Sequence, residues 1–387
     1  MKLFMSGAFA VAAITVLSFS RPESRIQNQE SGIRVSDSRK IQVAILLDVS
    51  NSMDGLIEQA KAQLWDMVIT LGKAQCTDKT IPQVEVALYE YGRPANGADK
   101  GYVKQLTSFT NDLDSVSKLL FGLVTNGGDE YCGQVIFNSI DELKWDSSPD
   151  NYKVIFIAGN EDFLQGSLHY TKSCDMAKNK GVIVNTIYCG SYEQGIQEHW
   201  NLLGECGKGS YTNINKDAKE VVIPTPYDST LIVLNGRLNR TYVGYGYLAS
   251  GGYAKQAQAD AANFSVGSEM QAKRIVAKAQ KNAYNNASWD LVDAINADST
   301  YFKKLDKKTL PDSLRNKSNE QLKMFVQEKA EERNAVQKEI NTISIARNKY
   351  IEQKKAEMKA ASSEPTLESA VNKILREQVK RCNMVIQ

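Results

Sequence analysis

Asp48, Ser50 and Ser52 stand at alternate positions in Asp48-Val49-Ser50-Asn51-Ser52, offering one carboxylate and two hydroxyls. All three are hard oxygen donors, the class that Mg²⁺ prefers and that Mn²⁺ or Ca²⁺ also takes. The competing chemistry is local. A serine before a helix commonly caps it, and an aspartate there favours the helix dipole.

Two elements must position this loop. Ile41 to Leu47 is apolar except at Gln42 and reads as a strand buried on both faces, as in the middle of a parallel sheet. Leu56 or Ile57, Ala60, Leu64, Val68 and Leu71 recur at three-to-four spacing over Asp54–Lys73, which predicts an amphipathic helix packed on that sheet. The loop thus falls at the carboxyl end of a strand, where open α/β sheets place their ligands.

Further strands are expected at Val84–Tyr91 and Gly101–Leu106, joined as a hairpin, then at Tyr152–Ala158, Val182–Tyr188 and near Tyr211. Helical patterns fall at Asp112–Leu123, Cys132–Leu143, Thr171–Lys180 and around Gln194–Leu203. This alternation predicts an α/β fold: a doubly wound, mostly parallel sheet with helices on both faces, spanning residues 41–222. Residues 223–310 open with Asn235–Tyr253, which carries five glycines and four tyrosines and reads as a loop laid over the first domain, its aromatics packing. An alanine-rich helical stretch follows to Ala297.

Residues 311–387 hold a long amphipathic helix over Ser318–Lys359, with Leu322, Val326, Val336, Ile340 and Ile343 in one stripe, and a shorter helix over Leu367–Val385. The stripe either packs back on residues 224–310 or pairs with a second copy as a coiled coil. The C-terminal region is therefore mainly α-helical.

Lys2 followed by an uncharged run from Leu3 to Phe19, with Ser18-Phe19-Ser20 as a cleavage site, reads as a signal peptide over residues 1–20, an uncleaved membrane anchor being the other reading; residues 21–40 read as a linker. The expected location is the periplasm, the cell envelope or the exterior. Six cysteines would then meet an oxidising compartment, and a bridge is expected among Cys174, Cys189 and Cys206. With 47 basic and 45 acidic residues no global field points to nucleic acid, and two histidines without Cys-x-x-Cys spacing argue against structural zinc.

The first strand and Asp-x-Ser-x-Ser loop resemble the von Willebrand factor A domain family, in which this motif is the first part of a metal-ion-dependent adhesion site. The resemblance covers Ile41 to Val222. In that pattern a second loop gives a threonine and a third an aspartate. Here Gly127-Gly128 aligns Asp129 with the threonine, Thr125 being the other occupant, and Gly159 stands at the aspartate's place. Asn160, Glu161 and Asp162 follow it. The order of these motifs, with the downstream Trp289-Asp290-Leu291-Val292 and helical tail, also resembles a subgroup of exported bacterial A-domain proteins.

What this implies is binding rather than catalysis. A degenerate site at Asp48, Ser50, Ser52 and Asp129 would hold Mg²⁺, or Mn²⁺ or Ca²⁺, and engage a carboxylate of a protein partner, with no small-molecule substrate. The other readings are a metal-independent interaction protein binding through its helical tail, and a hydrolase. For the last, Ser115-x-x-Lys118 has the spacing of penicillin-binding enzymes without their companion motifs, and His169 and His199 lack a glycine-flanked nucleophile turn.

Overall fold

The computed structural model describes residues 39–217, 223–357 and 366–386, with the side chains of Glu205 and Cys206 excepted. The signal peptide and nearly all of the linker expected before Lys40 lie outside the described residues.

Strand β1 (Lys40–Asp48) is buried at every position after Lys40. Its apolar run serves two cores: Ile41, Val43, Ile45 and Leu47 face one, Ala44 and Leu46 the other. Gln42 is satisfied by Glu85 at 2.8 Å and the Asp146 amide at 2.8 Å, which removes the cost of burying an amide. Helix α1 (Asp54–Leu71) follows, then a short β2 (Ala74–Cys76), β3 (Gln83–Tyr91) and β4 (Lys104–Thr110). Helices α2 (Leu113–Phe121) and α3 (Cys132–Glu142) precede β5 (Tyr152–Gly159). Next come α4 (Tyr170–Lys180), β6 (Ile183–Cys189), α5 (Tyr192–Gln197), α6 (Asn201–Cys206) and β7 (Tyr211–Ile214).

The six-stranded sheet runs β4-β3-β1-β5-β6-β7. All pairs are parallel except β3 with β4, the expected hairpin, whose second strand begins three residues later than the sequence suggested. The chain leaves β1 for β3 on one side and returns to β5 on the other. The direction of winding therefore reverses at β1, the place at which open α/β sheets bind their ligands.

Beyond the sheet lie α7 (Asp228–Asn239), α8 (Ala249–Val266), α9 (Ser268–Lys278), α10 (Leu291–Ala297), the single turn α11 (Asp312–Arg315) and the 39-residue α12 (Asn319–Glu357). The loop expected over Asn235–Tyr253 is shorter than predicted, because α7 and α8 take its two ends. Leu231, Leu234 and Leu238 bury one face of α7, and that packing outweighs Gly236. The aromatics do pack: Tyr242 stacks on Trp289 at 5.6 Å and Tyr253 meets the same ring edge-on at 5.0 Å.

The stripe of α12 packs back within the chain. Val336 and Ile340 join Leu231, Leu234 and Ile275, while Leu322 and Val326 join Val243, Leu291 and Leu314. Arg333 pins the helix, reaching Asp290 at 2.6 Å and Asp293 at 2.7 Å over the face of Tyr242.

The last segment differs from expectation. Helix α13 (Leu367–Gln378) is followed by a helical turn, a left-handed Asn383 and a strand, β8 (Met384–Ile386), paired antiparallel with β2. This α13 covers the sheet beside α1: Leu367, Val371, Ile374 and Leu375 enter the same core as β1. Gln378 exchanges two amide hydrogen bonds with Asn185 of β6, at 2.7 and 3.1 Å, and accepts a third from Tyr152 of β5 at 2.9 Å.

Cys76, Cys132, Cys189 and Cys382 are free thiols. Cys189 therefore drops out of the expected bridging trio; Cys174 is disulfide-bonded, its partner lying outside the described side chains. Among the described residues no helix is long and apolar enough to cross a membrane.

Candidate metal centre

Asp48 ends β1 with no exposed surface. Its Oδ1 accepts the Ser50 backbone amide at 2.7 Å, and its Oδ2 has no hydrogen-bond partner. Ser50 is also buried, and its Oγ forms no well-aligned bond. Neither serine caps a helix through its side chain: the turn Asn51–Met53 and α1 both begin without a side-chain cap. The capping reading therefore fails on geometry. Two buried polar oxygens remain without a well-aligned hydrogen bond, with the Ser50 side chain close to both Asp48 and Glu130; a buried polar group left unsatisfied costs roughly 1–3 kcal/mol.

Ser52 sits apart from this pair. It is exposed, and its hydroxyl donates to Asn160 Oδ1 at 3.2 Å, tying the first loop to the third. The second loop is fastened to the first by the Asn126 amide on the Val49 carbonyl at 2.8 Å. Thr125 donates to Asp54, at the start of α1.

The second loop turns Glu130, rather than Asp129, towards Asp48. Glu130 is buried, whereas Asp129 is exposed and faces the Tyr102 hydroxyl. Gly92, at the end of β3 with φ +83°, makes this meeting possible: a Cβ there would lie 3.0 Å from Asp48 Oδ1 and 3.0 Å from the Glu130 Cγ. A left-handed residue without a side chain is what lets the two carboxyl groups approach.

Gly159, in the third loop, is enclosed on three sides. A Cβ at this position would lie 2.4 Å from the Tyr91 hydroxyl, 3.1 Å from Asp48 Oδ2 and 3.1 Å from the Trp200 ring. Tyr91 is itself fixed, donating to the Ala158 carbonyl at 3.0 Å, and Trp200 donates to the Glu161 carbonyl at 2.8 Å. Tyr91 and Trp200 fill the space that a side chain at residue 159 would need.

The electrostatics are those of crowded anions. Burial, with Glu161 nearby, pushes Asp48 up to about 6; burial, Asp48 and Glu161 push Glu130 up to about 8. Among the described residues no three His, Cys, Asp or Glu side chains gather closely enough to hold a metal by themselves. Any cation here would depend on the serine hydroxyls as well. The donor set fits such an ion: hard oxygens, two of them buried without a well-aligned hydrogen bond, in a field that a positive charge would relieve.

The other singled-out residues have local roles. The Ser115 hydroxyl donates to Asp112 at 2.6 Å at the head of α2. His169 meets Thr171 at 2.8 Å, and His199 meets Asp162 at 3.0 Å. Sequence reasoning missed Glu130 and Tyr91. The signal for Glu130 was its place directly before Tyr131-Cys132, where α3 starts and the chain turns inward.

No family model matches the chain, and no curated protein does. Solved structures similar to it include proximal thread matrix protein 1 of the mussel byssus (11% identity, TM-score 0.34, covering 46% of this chain and 42% of that one). They also include a von Willebrand factor type A protein from Catenulispora acidiphila (12% identity, TM-score 0.34, 47% and 44%). A third is the SpRpn10 VWA domain (12% identity, TM-score 0.34, 45% and 88%). The chain spans less than half the length of the first two.

Proposed function

We propose that this chain is an exported, non-enzymatic protein-binding module of the von Willebrand factor A kind. In this reading a divalent cation, Mg²⁺ or Mn²⁺, is held at the carboxyl end of the sheet by Asp48, Ser50 and Ser52 with a carboxylate from the second loop. When bound, the ion supplies a Lewis-acidic position that a partner's Asp or Glu can fill. The chain's own residues do the rest. β1 fixes Asp48, the Ser50 amide orients its carboxyl group, and the Asn126–Val49 hydrogen bond holds the second loop against the first.

The observation that carries this reading is the crowding of buried oxygens, Asp48 Oδ2 and Ser50 Oγ without well-aligned hydrogen bonds and Glu130 beside them, at the point where the winding of the sheet reverses. The helical tail offers less, since the Leu322–Ile340 stripe is spent on internal packing. Titrating Mg²⁺ and Mn²⁺ calorimetrically into the wild type and Asp48→Ala tests the metal: heat in the first and none in the second is expected, and identical traces would overturn the reading. Pull-down from a cell-envelope extract with and without chelator tests the partner, whose capture should require the cation.

A further inference from the structure

We propose that Glu130 is the second anionic ligand of this centre, supplying from the second loop the charge that Gly159 cannot supply from the third. This rests on the reading of the site as a divalent-cation centre.

Two independent observations place Glu130 there. First, position 159 of the third loop is closed to a side chain: a Cβ on Gly159 would collide with the Tyr91 hydroxyl at 2.4 Å, and Tyr91 is held by the Ala158 carbonyl. A carboxylate could not be restored at residue 159 without moving a fully buried ring. Second, Gly92 opens a gap one Cβ wide between Asp48 Oδ1 and the Glu130 Cγ, and Glu130 fills its far side. Asp48 Oδ2 lies on the Gly159 side, 3.1 Å from where a Cβ would stand, and the Ser50 side chain, at 5% exposure, lies within reach of both Asp48 and Glu130.

Glu130 is buried to 6% exposure beside the Asp48 carboxyl and the Ser50 side chain, an arrangement of oxygens that a divalent cation would relieve. Asp129, one residue earlier, is exposed and engaged with Tyr102. The charge count then matches an ordinary oxygen site for Mg²⁺: two carboxylates, serine hydroxyls and waters. The site is rewired rather than broken. Its anionic half has moved from the turn after β5 to the turn before α3, and Tyr91 occupies the vacated corner.

The test is a calorimetric titration of Mg²⁺ and of Mn²⁺ alone into the full chain and into Glu130→Gln, Asp129→Asn, Glu130→Asp and Asp48→Ala, with thermal melts in chelator to confirm folding. Glu130→Gln should weaken both metals by about tenfold or more, as expected for losing an anionic ligand. Asp129→Asn should leave affinity within about threefold, a change too small for a direct ligand. Glu130→Asp, which keeps the charge on a shorter arm, should fall between, and it stands in for Glu130→Gln if that variant does not fold. Loss of binding in Asp129→Asn with Glu130→Gln unaffected overturns the proposal and leaves the metal reading intact. Absence of metal heat in the wild type overturns both.

Discussion

Two buried clusters in this chain use the same residue types to opposite ends. At the carboxyl end of the sheet, Asp48 meets Glu130, and the charges acting most strongly on either are further carboxylates, Glu161 and Asp129. Where α2 meets α8 and α9, Asp114 and Asp260 meet Arg274 and Lys278. Arg274 lies 2.7 Å from Asp114 and 2.9 Å from Asp260, and Lys278 lies 2.8 Å from Asp260. Tyr284 donates to Asp114 at 2.8 Å, Asn235 and Asn239 accept from Lys278, and the guanidinium rests 4.5 Å over Trp65. The second cluster balances two anions with two cations; the first sets carboxyl groups against one another. Balanced charge buried inside a protein fixes architecture, whereas unbalanced buried charge asks for something from outside.

The sharpest way to break this contrast is to unbalance the second cluster. Arg274→Met should destabilise the protein by roughly 3–5 kcal/mol, because Asp114 and Asp260 lose their shared cation in a buried site; urea denaturation measures it. Asp48→Asn, in chelator, should instead leave stability equal or higher. If both substitutions act alike, the distinction between the clusters is wrong.

A pH series sharpens it further. Burial raises the Asp260 carboxyl, but Lys278 and Arg274 outweigh burial and hold it well below its ordinary 3.8. Between those two values the unfolded chain binds the extra proton, so the stability that Asp260 contributes is full above 3.8 and is lost as pH falls below it. The gap in melting temperature between the wild type and Asp260→Asn should therefore narrow below that pH.

Smaller effects are expected at the sheet end. Gly159→Asp should cost about 1–3 kcal/mol through overpacking against Tyr91 and should not tighten Mg²⁺. At ten times its dissociation constant, Mg²⁺ should stabilise the wild type by about 1.4 kcal/mol and Asp48→Ala not at all, read as a shift in melting temperature.

The parts of this fold that were legible are those in which one local pattern settles the outcome. β1 could be read because a run from Ile41 to Leu47 with a single polar residue is stable only between two cores. The α12 stripe could be read because its period is that of a helix. The loops were harder. Choosing between Asp129 and Glu130 depends on how the chain turns after Gly128, whose added Cβ would sit 2.6 Å from the Gly92 carbonyl, a contact 36 residues away in sequence. Tyr91 was legible as a strand residue but not as the occupant of a third-loop position, because its hydroxyl is placed by sheet register. The end of the chain misled for a similar reason: nothing local in Leu367–Val385 says that Gln378 will meet Asn185.

That last meeting also orders events in time. Tyr152 and Gln378 are separated by 226 residues, and β2 finds its partner strand only in the final residues of the chain. Synthesis that has passed β7 has made every strand of the main sheet but not the helix that shields it beside α1. The apolar face must wait, uncovered, until α7 to α12 have been made. Folding of the sheet is consequently completed late, by the closure of a very long loop, and is expected to be slow and to benefit from a holding chaperone.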